Sequence, residues 1–168
     1  MKKKIRVLMP QIVLETLEQD TRFFEIQKEK LCNEILLKFS SMKFLYDPQD
    51  FAYEDKEYLQ FSLNTNNQRY YQELIREKEI KEAELLRKIF LNYTLLHPIL
   101  RELNIFGEKV SYIKKIFKEK KTLKIDTNTG LVEGEVNKIY RCKTTNYLKI
   151  QINEKDYYIG QIRIVSYL

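Results

Sequence analysis

The chain has 168 residues, 43% of them apolar and 32% charged, with a net charge of +6 and a pI near 9.1. That is enough apolar material for one ordinary domain or two small ones and too much for a disordered chain, and no run approaches the ~18 uninterrupted apolar residues of a membrane span. The basic balance favours nucleic acid over a membrane surface as partner, while Cys32 and Cys142, far apart with no second thiol nearby, predict a reducing, cytoplasmic setting and no zinc site.

In chain order, the first element runs from Lys3 to Met9. Ile5, Val7 and Met9 alternate with Lys4, Arg6 and Leu8, the period of a strand with one face buried. Arg6, Pro10 and Gln11 interrupt any apolar leader, so a secretion signal is not expected. Pro10 ends the strand and suits the first turn of a helix. Val13, Leu17 and Phe24, with Thr21 between them, then fall on one helical face. After a break at Glu25-Ile26-Gln27, a second helix carries Leu31, Cys32, Ile35, Leu36 and Phe39.

Ser40 to Glu57 reads as a connection, with Asp47-Pro48 and the acidic residues Asp50, Glu54, Asp55 and Glu57. The pattern then restarts. Leu59, Phe61 and Leu63 alternate with Tyr58, Gln60 and Ser62, and Asn64-Thr65-Asn66-Asn67 is a turn or cap signal. One helix follows with Tyr71, Leu74 and Ile75, and another with Leu85, Leu86, Ile89, Phe90 and Tyr93. A shift of 54 positions superposes the halves without a gap. Ile5, Val7 and Met9 meet Leu59, Phe61 and Leu63, and the apolar positions of the second helix all meet apolar positions. The first helix matches worst, because Val13 meets Asn67 and Leu14 meets Gln68. The competing reading makes Asn66 to His97 one long helix whose charges are a solvated face.

Beyond His97-Pro98, Ile99 to Asn104 and Val110 to Lys118 are short helical patterns separated by Gly107. Strand signals dominate after Thr122. Leu123 and Ile125 lead into the turn Asp126 to Gly130; strands are predicted at Val132 to Tyr140, Tyr147 to Ile152 and Tyr157 to Val165, with a hairpin turn at Asn153 to Asp156.

A strand and two helices, about forty residues, are too few to bury their own apolar surface, so two such units are expected to pair strand to strand. Such a ribbon fits the major groove of B-DNA. Ile5-Arg6-Val7-Leu8-Met9-Pro10, with the helix from Gln11 to Phe24 and the helix around Leu31 and Ile35, resembles the ribbon-helix-helix family of DNA-binding proteins. The resemblance implies base contacts from the outward strand residues Lys4, Arg6 and Leu8, and from Tyr58, Gln60 and Ser62 in the second repeat. Arg6 has the geometry to pair bidentately with guanine, and Gln60 with adenine. Lys2 and Lys3 would touch phosphates. The family's phosphate clamp at the start of the second helix falls near Lys28 and Lys81. The usual Gly and the Ser or Thr cap are absent there, with Glu25 and Glu79 near the Gly position.

The C-terminal part resembles the WYL family of small SH3- or Sm-like barrels. Asn146-Tyr147-Leu148 stands at the naming motif and Arg163 at the ligand-facing arginine. That resemblance implies a sensor of ligand or nucleic acid, with Tyr147 and Arg163 as candidate contacts. Lys114, Lys115 and Lys118 lie in a second basic stripe, which is either a nucleic-acid contact or a solvated helix face. No glycine-rich loop, spaced carboxylate motif or His/Cys cluster is present, so neither catalysis nor a cofactor is expected.

The expectation is therefore an α+β chain. Residues 1–96 hold a tandem ribbon-helix-helix module (repeats 3–40 and 58–95), and 97–168 a helical linker with a small β-rich domain. The predicted function is sequence-directed binding of double-stranded DNA, as a repressor or a plasmid or phage DNA regulator. The alternative is a regulator or interaction module that binds RNA or a partner enzyme through the basic stripe and the β-rich C-terminal domain; RNA or single-stranded nucleic acid, a protein partner and a homodimer are the other partners the sequence leaves open. The competing structural reading is an ordinary α+β bundle with a basic strand at a sheet edge.

Overall fold

In the computed structural model, which describes residues 2–41, 43–44, 46–51 and 55–167, the chain is α+β and divides into two compact units. The first takes Met1–Arg22 and Gln27–Leu96; the second takes Phe23–Ile26 and His97–Leu168. Of the acidic residues in the connection, Glu54 lies outside the described residues.

The first unit contains the order strand, helix, helix twice. β1 (Lys4–Pro10), α1 (Gln11–Phe24) and α2 (Lys28–Phe39) are followed, after a 3-10 turn at Pro48–Phe51, by β2 (Lys56–Ser62), α3 (Thr65–Lys78) and α4 (Glu82–Leu95). The break between α3 and α4 rules out a single helix from Asn66 to His97. Alternation decides the strands: Ile5, Val7, Met9, Leu59, Phe61 and Leu63 are buried, each burial contributing about 1.5–3 kcal/mol. Asn64 caps α3 by accepting from the Asn67 amide at 2.8 Å. Glu25 and Glu79, counterparts under the 54-residue shift, both adopt the left-handed conformation, with φ of 48° and 50°. A side chain there costs about 1–2 kcal/mol against glycine, so the geometry of a glycine turn is kept without the glycine.

β1 and β2 pair antiparallel in a register with an internal two-fold. Arg6 lies opposite Gln60, its own counterpart, while Lys4 faces Ser62 and Leu8 faces Tyr58. Side-chain bonds repeat the symmetry: Asn33 Nδ2 donates to Ser62 O at 3.0 Å and its counterpart Arg87 donates through Nε to Leu8 O at 2.9 Å. The poor match of the first helices also has a physical reason. Asn67 occupies the buried place of Val13, but its amide donates to Asn33 O at 3.0 Å and Asn33 Oδ1 at 3.2 Å, so the polar group is satisfied. A second exchange sets buried Asp20, which accepts from Tyr93 Oη at 2.5 Å, where the other half carries Leu74 and Phe39.

The second unit has α5 (Pro98–Glu119) and five strands: β3 (Thr122–Thr127), β4 (Gly130–Arg141), β5 (Leu148–Ile152), β6 (Lys155–Tyr158) and β7 (Arg163–Tyr167). They form a curled antiparallel sheet in the order β6-β5-β4-β3-β7. Its core joins Val110, Ile113 and Ile116 of α5 to Leu123, Ile125, Ile150 and Ile152. Pro98 occupies the first turn of α5, and His97 caps it by accepting from the Ile99 amide at 3.2 Å.

Two sequence expectations change here. The two short helices are one, kinked at Phe106, the residue before Gly107. The single strand expected from Tyr157 to Val165 is two, split by a 3-10 turn at Ile159–Gln161. Gly160 accounts for the split: a Cβ there would meet Phe24 at 3.0 Å and Phe106 at 3.2 Å. A glycine inside a strand pattern often marks such a close approach.

Candidate nucleic-acid interface

The alternation that buries one face of the ribbon turns the other outward. Lys4, Arg6, Tyr58 and Gln60 are exposed, and Leu8 and Ser62 are half-buried. All six predicted base-contacting residues therefore share one face of β1 and β2. The Arg6 guanidinium carbon sits 3.6 Å from the centroid of the Tyr58 ring, across the diagonal of the register. Stacking of this kind restrains a long side chain that would otherwise sample many rotamers. At Leu8 the carbonyl is held by Arg87 and the apolar side chain is turned outward.

The four predicted phosphate contacts are placed less uniformly. Lys2 is exposed beside the start of β1. Lys3 is not a free cation: its Nζ lies 3.3 Å from Glu82 Oε1 and 5.0 Å from the Tyr71 ring, and Tyr71 Oη donates to the same carboxylate at 2.6 Å. Burial and that bond push the Tyr71 phenol above its usual range. Lys28 lines a cleft of about 310 Å³ with Glu18, Glu57 and Tyr58. Lys81 lines another of about 250 Å³ with Asp47, Glu84 and Arg87. These clefts border the N-terminal ends of α2 and α4, where exposed amides and the helix dipole favour anions. Neither helix has a side-chain N-cap. Carboxylates already line both clefts, so the lysines there face negative charge from their own chain.

In the second unit, Lys114, Lys115 and Lys118 are exposed on α5 and Arg163 is exposed at the start of β7. Tyr147 does not reach the surface, contrary to its reading as a contact. It is 2% exposed, stacked on Phe23 at 5.0 Å and met edge-on by Phe24 at 5.4 Å. The following residue is pinned as well, because both Glu102 carboxylate oxygens accept from the Leu148 amide, at 2.9 and 3.2 Å. Arg141 Nη1 lies 3.3 Å from Glu102 and donates to Asn146 O at 2.8 Å. Tyr147 and Leu148 are thus packing residues, and Asn146 before them is exposed.

Sequence reading missed a row on the outer face of the second unit's sheet. Tyr140 lies opposite Lys149, and Lys149 opposite Tyr158. The signal was present as alternation within each strand, but only the register aligns the three. The thiols differ sharply. Burial pushes the Cys32 thiol up to about 12. Half-buried Cys142 is held down to about 6 by hydrogen bonds from the Thr145 hydroxyl, the Thr145 and Thr144 amides and the Tyr158 hydroxyl. Among the described residues, no group of three or more His, Cys, Asp or Glu is placed to hold a metal ion, and no helix is long and apolar enough to cross a membrane.

No protein-family model and no curated protein matches the chain. Among solved structures it is similar to one described as a CRISPR Cas-related protein, with a TM-score of 0.64 at 10% sequence identity. The match covers 99% of this chain and 63% of that one. The likeness is one of fold, and this chain spans under two thirds of the length of that structure.

Proposed function

We propose that the first unit is a ribbon-helix-helix module made from one chain, and that it binds double-stranded DNA with β1 and β2 in the major groove. The observation that carries this is the two-fold register, which centres Arg6 against Gln60 and turns six varied side chains outward from a narrow ribbon. A two-stranded ribbon is one of the few elements the major groove admits. A net charge of +6 supplies attraction to phosphate, and the Cas-related neighbour is in keeping with a nucleic-acid setting. The second unit is read as a small-barrel partner to that module, of the SH3 or Sm kind, and the whole as a repressor or a regulator of plasmid or phage DNA.

Because the outward residues differ between the strands, the preferred site has no reason to be a palindrome, unlike that of a symmetric dimer. Selection from a random duplex library, followed by sedimentation of the complex, tests this. One chain on an asymmetric site is the expected result. A failure to enrich any duplex sequence would remove the proposal.

A further inference from the structure

We infer that the outer face of β4, β5 and β6 is a separate binding surface for single-stranded polynucleotide. The argument begins with register. Tyr140, Lys149 and Tyr158 stand directly opposite one another on three neighbouring strands, so their side chains share one face. Strand neighbours on the other face, Ile150 and Ile152, are buried in the core, which makes this the solvent side.

The row is chemically patterned. Lys138 Nζ lies 4.5 Å from the Tyr140 centroid and Lys149 Nζ lies 4.6 Å from the Tyr158 centroid. The half-buried Phe23, which belongs to this unit, extends the aromatic surface by meeting Tyr158 edge-on at 6.4 Å. Tyr158 is held from its far end, its hydroxyl 3.2 Å from Thr145 Oγ1, and Asp156, opposite Gln151, places one carboxylate beside the row. A ring fixed at the hydroxyl presents its face at little further entropic cost.

Two lysines against one carboxylate leave the row positive, which selects an anionic ligand. Rings interleaved with lysines select one that alternates flat faces with negative charges. Single strands have that alternation, since their unstacked bases can lie on aromatic rings while lysines follow the backbone. A duplex keeps its bases stacked inside and offers no such faces. The lysines already over the rings would move aside to phosphate, which keeps their charge paired.

The test uses the full chain with labelled twelve-nucleotide oligo(dT) and oligo(U), and a hairpin duplex for comparison, by fluorescence anisotropy over a salt series. The two oligonucleotides separate DNA from RNA as the source of the single strand. Replacing both rings, Tyr140→Leu with Tyr158→Leu, should raise the single-strand Kd about tenfold or more while the duplex Kd holds. Tyr140→Phe with Tyr158→Phe keeps the rings and should keep the binding, which separates stacking from a loss of fold. Removing Lys138 and Lys149 as Gln should flatten the salt slope by about 0.7 per lysine. Arg6→Ala should leave the single-strand Kd unchanged. The inference is overturned if the wild-type chain fails to bind either oligonucleotide, if the double Leu variant binds within twofold of wild type, or if single-strand and duplex affinities fall together.

Discussion

Arg6 offers the sharpest test of the ribbon. It lies at the centre of the two-fold register, and its guanidinium stacks 3.6 Å above the Tyr58 ring. Arg6→Ala removes a candidate bidentate contact and should cost about 1–3 kcal/mol on the preferred duplex, a rise of roughly 5- to 150-fold in Kd. Tyr58→Leu leaves the guanidinium but takes away its restraint. An exposed cation–π pair contributes about 0.5–1 kcal/mol, so this variant should lose roughly two- to fivefold, and the double variant less than the product of the singles. Random duplex is the control. There Arg6→Ala should lose no more than one phosphate contact would, whereas Lys2→Ala should weaken every duplex alike and reduce the salt slope by about 0.9. Anisotropy titrations of five proteins, the wild type included, on two duplexes over a salt series contain the whole experiment. If Arg6→Ala weakens selected and random DNA equally, Arg6 is a backbone contact. If Tyr58→Leu has no effect, the stack does not position it.

Three other expectations concern the rest of the chain. Tyr93→Phe removes the hydroxyl that bonds buried Asp20 and should cost about 1–3 kcal/mol, read as a lower melting temperature; Asp20→Leu with Tyr93→Phe installs the residue types found at Leu74 and Phe39 and should recover much of the loss, so additive losses would refute the coupling. Cys142, with its thiolate favoured down to about pH 6, should be alkylated by iodoacetamide with half-maximal rate near that pH, the reactivity present above it and lost below, while buried Cys32 stays inert; Thr145→Val should move the Cys142 midpoint upward. A fragment ending at Leu96 keeps both strands and all four helices of the first unit and should stay folded in circular dichroism; an unfolded fragment would contradict this.

Much of the first unit was legible because its signals are local. Period-two alternation named Ile5, Val7 and Met9, and α3, Thr65–Lys78, stands 54 positions after α1, Gln11–Phe24. At two of the places where the shift fails, polar groups are buried in mutual bonds, Asn67 on Asn33 and Asp20 on Tyr93; an apolar count scores such residues as surface. The second unit was harder. Tyr147 reads equally as contact or core until Phe23 and Phe24 are seen against it, more than a hundred positions away. The 3-10 turn at Ile159–Gln161 depends on how closely Gly160 approaches Phe24, which no window of sequence contains. Glu102 is buried and accepts from the Leu148 amide, 46 positions away. The Tyr140, Lys149 and Tyr158 row needed the register of three strands.

Holding both strands of the ribbon in one polypeptide changes how the protein responds to its own abundance. A ribbon shared between two copies falls apart on dilution, so its occupancy of a target varies with the square of copy number when copies are scarce. Here β1 and β2 belong to one chain and pair with each other, so each is held near its partner whatever the dilution. The ribbon is therefore assembled even when a cell holds only a few molecules. Response to dosage becomes linear, with no threshold to cross. Each strand is also free to drift independently, so one substitution alters one strand of the ribbon where a symmetric pair would alter both.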